Sequence, residues 1–236
     1  MPTNNRPRRA DGEATHRRII ESGGELFAEQ GFANTTSKQV ATRAKVDLAS
    51  INYHFGGRSG LYQAVLAEAH GRLIKLEELR QFVADDAPPR ERLRDLIHRL
   101  VERATGEAGW HARVLSREIL SPSSHLSTLQ QEEILPKMRV VCRLLGEITS
   151  IPPESPAIFR CLISIAAPCA VLFIAGRALT AVASAFQAPE EALAEHLYRF
   201  AIGGLDAVSH EHLVQRGSCP AGESTRPSRR GRPTIT

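Results

Sequence analysis

Residues 47–55, Asp-Leu-Ala-Ser-Ile-Asn-Tyr-His-Phe, concentrate side chains able to recognise another molecule without covalent chemistry. Asn52 carries a paired donor and acceptor that match the N6 and N7 edge of adenine in a major groove. Leu48 and Ala49 are apolar and small enough to lie against a thymine methyl. Tyr53 and His54 each end in a donor suited to a phosphate oxygen. Upstream, Thr36 and the amides that follow it form an anion site at a helix start, and Lys38 reaches either a base or the backbone. Arg58 adds a charge just beyond Gly56-Gly57. Taken singly, Tyr53 also suits packing, and His54 gives no direction. Their joint placement points to double-stranded DNA.

Such a set works only if helices hold it. Ile19, Ile20, Leu26 and Phe27 recur at helical spacing, and Gly31 ends that run. Thr36-Ser-Lys-Gln39 is a capping-box pattern that opens a second helix. After a break at Lys45-Val46, Asp47 is an N-cap for a short third helix to about His54, whose Ile51 and Phe55 face the core with Val46. A fourth helix starts near Ser59. Two short helices across a four-residue turn are the layout of a DNA-reading helix-turn-helix.

Composition agrees with a helical protein: 42% of the 236 residues are hydrophobic and only 5% aromatic. Charge is unevenly distributed. Residues 1–70 hold nine Lys/Arg against seven Asp/Glu, residues 71–215 sixteen against eighteen, and residues 216–236 five against one. Basic ends favour a phosphate backbone, although so modest an excess also serves solubility. Cys142, Cys161, Cys169 and Cys219 form no C-x-x-C pair and have no histidine cluster beside them. Neither a metal nor a cofactor is expected. The polar N-terminus lacks a signal-peptide pattern. The apolar run between Arg160 and Arg177 contains Pro168 and falls short of a bilayer span of ~20 residues. The expected location is the cytoplasm, with no membrane contact.

The expected plan is all-α: a flexible basic arm (1–14), a helix-turn-helix domain (15–60), a larger helical ligand-binding and dimerisation domain (61–215), and a disordered basic tail (216–236). Helix 4 is expected over 59–80, bends at Pro136 and Pro168, and Pro189 at the N1 position of the last helix. Small residues between Ala166 and Ala183 suit a four-helix dimer interface built from 158–186 and 190–213 of two copies. Trp110, His111, Arg113 and Arg117, with Met138, Cys142 and Phe159 as walls, form a candidate pocket for an amphipathic organic effector. Arg117 and Glu118 equally suit an ordinary surface or an internal ion pair, and core packing suits Met138, Cys142 and Phe159 better than a pocket wall does. Cys161 and Cys169 lie on one helix face, where inert burial outweighs thiol sensing. Arg229-Arg230-Gly231-Arg232-Pro233 has the composition of a minor-groove segment, a weak signal in a biased tail.

Ile19-Ile20, ELFAEQGF (25–32), TTSKQVATRAKV (35–46) and INYHFGGRSGLYQAVL (51–66) resemble the N-terminal domain of the TetR/AcrR family of bacterial transcriptional regulators. That resemblance implies an all-helical homodimer of about nine helices per chain that binds a palindromic operator and an inducer, with its last two helices in the dimer interface. It also implies phosphate contacts for Thr36 and His54, and places Tyr53, Lys38 and Arg58 near contacting positions. Departures are Lys45 at the usual turn glycine, Asp47 for a serine cap, Ala49 for a glycine, Asn52 for a tyrosine, and Gly23-Gly24 for two alanines. LSREILSPS (115–123) resembles one subgroup more loosely. The function expected is effector-responsive repression, with activation or dual regulation as an alternative. No convergent acid, base or nucleophile and no glycine-rich phosphate loop favours an enzyme, and a helical adaptor would not need the capped turn.

Overall fold

The computed structural model describes residues 6–106, 109–175 and 189–217, and every regular element among them is helical. In chain order these are α1 (Arg6–Gln30), α2 (Ser37–Ala44), α3 (Leu48–Phe55), α4 (Arg58–Gly71), α5 (Leu76–Ala84), α6 (Pro89–Thr105) and α7 (Gly109–Leu120). There follow α8 (Leu126–Leu129), a π-helical turn (Gln130–Ile134), α9 (Leu135–Thr149), α10 (Pro156–Ala175) and α11 (Glu190–Gly217). The all-α expectation is met. Cys219, the arginine cluster at 229–233 and residues 176–186 of the apolar run lie outside the described residues, as do the side chains of Arg6, Arg8 and Arg9.

Four boundaries differ from expectation. Helix α1 begins at Arg6, so residues 6–14 are not a loose arm; Pro7 sits in the first turn, where its missing N–H costs nothing. Helix α4 stops at Gly71 instead of running to 80. Arg103 fixes the break, donating to the Leu73 carbonyl at 3.1 Å and to both Glu78 oxygens at 2.8 Å. Near Pro136 the chain widens into the π turn, in which the Leu135 N–H reaches back to the Gln130 carbonyl, because proline cannot donate to residue 132. Pro189 is the N-cap of α11, not its first helical residue: its carbonyl accepts from Leu193 N at 3.1 Å.

One continuous core includes Ile19, Phe27, Ile51, Leu61, Leu93, Ile97, Leu144 and Ile158 and passes from the three-helix unit into the larger body without a gap. Burying each such side chain contributes about 1.5–3 kcal/mol. Helix α7 crosses α1, α4 and α10. Its Trp110 is buried on the bare backbone of Gly24, where a Cβ would stand 2.4 Å from the indole. A Cβ on Gly23 would meet Leu61 and Val65 at an ordinary 3.5 Å.

Between α4 and α9, the buried Lys137 ammonium lies 2.9 Å from His70 Nδ1, which accepts, and 2.9 Å from Glu133. Burial, and then the Lys137 charge, holds His70 down to about 4.

Two predictions follow from this packing. Gly23→Ala should stabilise the protein by up to ~1 kcal/mol through helix propensity, whereas Gly24→Ala should cost about 1–3 kcal/mol by overpacking; urea titration of the two variants checks the opposite signs. The second concerns pH. The unfolded chain takes a proton on His70 near pH 6.5 and the folded one only near 4, so stability present above 6.5 is lost as pH falls through that window. His70→Gln should flatten that decline in thermal unfolding between pH 7 and 4.

Candidate nucleic-acid interface

The turn before α3 is built from its sequence neighbours. Thr36 caps α2 as its spacing predicts: its Oγ1 accepts from Gln39 N at 3.2 Å, and its own N–H donates to Gln39 Oε1 at 2.7 Å. Lys45 takes the left-handed conformation at φ 53°, ψ 50°, which costs a non-glycine residue about 1–2 kcal/mol. Its neighbour Val46 closes the helix end by donating to the Ala41 carbonyl at 3.0 Å. Asp47 is the N-cap of α3 by position, without a side-chain capping bond.

Ile51 is fully buried, and Val46 and Phe55 pack against the same core. With that face turned inward, Leu48, Ala49, Asn52 and Tyr53 are exposed and His54 is half-buried. Tyr53 is 85% exposed, which removes the packing explanation for it. Gly56 and Gly57 then reverse the chain at φ 69° and 116°. A Cβ on Gly60 would fall 1.9 Å from the Phe55 carbonyl. Gly60, which spacing alone did not single out, therefore sets how closely α4 approaches the end of α3.

The structure thus brings Leu48, Ala49, Asn52, Tyr53 and His54 onto one helix and places exposed Thr36 and Lys38 at the start of α2. Arg58 does not join them. Its guanidinium donates to the Thr35 carbonyl at 3.1 Å and the Phe32 carbonyl at 3.4 Å, and lies 4.4 Å over the Phe32 ring. The loop carbonyls left open after α1 attract it more than open solvent does. Arg43 is likewise committed, to Glu25 at 3.1 Å and Glu29 at 3.2 Å.

The seven expected effector residues do not converge. Trp110 is buried against α1, and Arg117 donates to the Ala28 and Glu29 carbonyls at 2.8 and 3.0 Å. Arg113 is exposed, His111 stacks on Trp110 at 3.8 Å, and Met138 and Cys142 are core residues. Phe159 is 47% exposed on α10. Aromatic and basic residues on α7 are used to fasten helices, so their composition misled. A cavity of about 340 Å³ instead lies between α10 and α11, lined by Ile97, Cys161, Ile165, Leu197 and Phe200, with Arg160, Glu211 and His212 among its polar groups. Burial pushes the Cys142 and Cys161 thiols up, and Cys169 up to about 11, which disfavours thiolate sensing.

Arg58→Lys tests the structural assignment of that residue. It should cost about 1–2 kcal/mol of stability by losing the forked contact, while the salt dependence of duplex binding, read by anisotropy, stays as in the parent. A reduced salt slope would return Arg58 to the phosphate-contacting set.

Residues 19–65 match the profile described as bacterial regulatory proteins, tetR family. Residues 89–205 match that of the C-terminal domain of the HTH-type transcriptional dual regulator CecR. The chain is 28% identical over 148 residues to the regulator CecR of Shigella flexneri, an alignment covering 58% of this chain and 66% of that one. Matches to two further curated regulators cover 27% and 41% of their lengths, so the chain spans under two thirds of these relatives. Among solved structures, the fatty acid degradation regulator FadR from Bacillus halodurans superposes with a TM-score of 0.62 at 17% identity, over 81% of this chain and 96% of its own. FadR from Bacillus subtilis, solved in complex with stearoyl-CoA, gives 0.60 at 16% identity over 80% and 98%. At those identities the likeness is one of fold. In the order of its two structural parts, and on a shared fold, the chain thus carries an N-terminal segment of the tetR family and a C-terminal domain of the CecR kind.

Proposed function

We propose that the chain acts as a homodimer that grips a palindromic operator with two copies of α3, represses from there, and lets go when a small organic effector occupies its helical body. The observation that carries the DNA reading is the division of α3: Ile51 is fully buried, while Leu48, Ala49, Asn52 and Tyr53 are exposed on a helix short enough for a major groove. In this reading Asn52 addresses a base edge, Leu48 or Ala49 a methyl group, and Tyr53, His54, Lys38 and Thr36 the phosphates. In this reading the chain works in the cytoplasm, where a bacterial chromosome lies.

A second copy is supported by α10 and α11. Over Pro156–Ile174 the mean hydropathy is 2.3, enough in length and apolarity to cross a membrane, yet only 33% of that window is buried within one chain. That helix extends beyond the run between Arg160 and Arg177, and much of it is open within a single chain. Phe159, Ile163 and Val171 on α10, with Phe200 and Leu213 on α11, leave an apolar face that a twin subunit would cover. The α10–α11 cavity suits an effector with an apolar body and a polar end. Activation at some promoters is the second reading, favoured by a relative described as a dual regulator; the sign then depends on operator position.

Selection of bound duplexes from a random pool tests the core of this reading. The expected product is a palindrome with half-sites about 34 Å apart or a multiple of that. Asn52→Ala should relax one base position per half-site at a cost of about 1–3 kcal/mol. A monomer with no duplex preference at low salt would overturn it.

A further inference from the structure

The end of α3 carries a cluster of rings that includes one, His16 of α1, outside the expected contact set. His16, on α1, lies 4.6 Å from Phe55 with its plane tilted 30°, and 5.8 Å from His54 at 78°. His54 in turn meets Tyr53 edge-on at 5.0 Å. Phe55 therefore supports a pair of imidazoles on the outside of the helix-turn-helix, where His16 is exposed and His54 half-buried. No hydrogen bond among the described residues uses either imidazole for internal structure.

We propose that His16 and His54 together form one phosphate site on the DNA backbone, so that α1 contributes a contact beside the recognition helix. The assignment rests on the DNA-binding reading above and deepens it. Two imidazoles at this separation repel one another when both are charged, and the apolar support of Phe55 adds to the cost of charging. A phosphate oxygen pair set between them reverses that balance, accepting a charge-assisted hydrogen bond from each ring. The charge environment agrees. His16 is held below its ordinary range first by burial and then by His54, with Glu68 of α4 opposing. His16 is thus largely uncharged when the site is empty near neutral pH and takes up a proton as DNA arrives. Exposed Tyr53 lies beside His54 on the same edge of the helix.

Proton uptake makes the assignment measurable. Each proton bound with the DNA gives a tenfold change in affinity per pH unit at full linkage. Fluorescence anisotropy would be read between pH 8 and 6 with two probes, the selected operator duplex and a random duplex of about the same length at low salt. Both should bind more tightly as pH falls, because a phosphate site ignores base sequence. His16→Phe keeps a ring on Phe55 but not the charge and should lose the part of the pH slope that one proton gives; His54→Phe should weaken binding of both duplexes alike. His16→Arg carries a permanent charge at that position and should bind more tightly than the parent at pH 8, with its own pH slope reduced to that of His16→Phe. A parental pH slope in His16→Phe, or no gain at pH 8 in His16→Arg with its thermal unfolding unchanged, would overturn the site. Failure of every variant and the parent to bind either duplex at any pH would instead overturn the DNA-binding reading itself and the site with it.

Discussion

The guanidinium of Arg117 lies on two carbonyls of the last turn of α1, those of Ala28 and Glu29, at the negative end of that helix dipole. One residue further along α7, the buried carboxylate of Glu118 accepts from Tyr62 Oη at 2.8 Å and from Ser123 N and Oγ at 3.0 and 2.8 Å. Burial, and then the Glu118 bond, pushes the Tyr62 phenol well above its ordinary range and keeps it a donor. Two turns earlier, Trp110 fills the notch left by Gly24. Three contacts along one face of α7 therefore fasten it to both α1 and α4. Charge-assisted bonds of this kind contribute about 1.5–3 kcal/mol each, and the fit of Trp110 on Gly24 tolerates no added methyl group.

This brace changes where a signal would have to travel. A long fourth helix spanning both parts is the simplest relay one can draw from the sequence, but α4 ends at Gly71. Helix α7 touches α10 on one side and α1 and α4 on the other. Were the proposed effector to occupy the α10–α11 cavity and shift α10, the packed contact of α7 with α10, α1 and α4 would offer a path to the three-helix unit. The reading unit is correspondingly stiff: the core that buries Ile51 is the core that buries Leu144 and Ile158.

Much of the reader was legible because its rules are local. The capping box at Thr36 and Gln39, the burial of Ile51 and the exposure of Asn52 follow from spacing within a few residues. The left-handed Lys45 stands where the resemblance calls for a glycine. What was not legible depends on partners distant in sequence. Arg58 meets Phe32 and Thr35, Arg117 meets Ala28, and Trp110 meets Gly24; a basic or aromatic residue looks the same in isolation whether it waits for a ligand or fastens two helices. The Gly23-Gly24 pair shows the limit well, since both glycines cost helix propensity and only the second is required by a neighbour. Gly60 was silent for the same reason, its purpose being one carbonyl of the preceding helix.

If α7 binds the three-helix unit into the body, the two should open together. Native-state hydrogen exchange on the full chain measures this directly, because amides within one cooperative unit share an opening free energy. Interior amides of α1, α3 and α7 should then converge on a single value as denaturant rises. Exchange of α1 and α3 through an opening that leaves α7 protected would contradict the account, showing a reader that unfolds on its own.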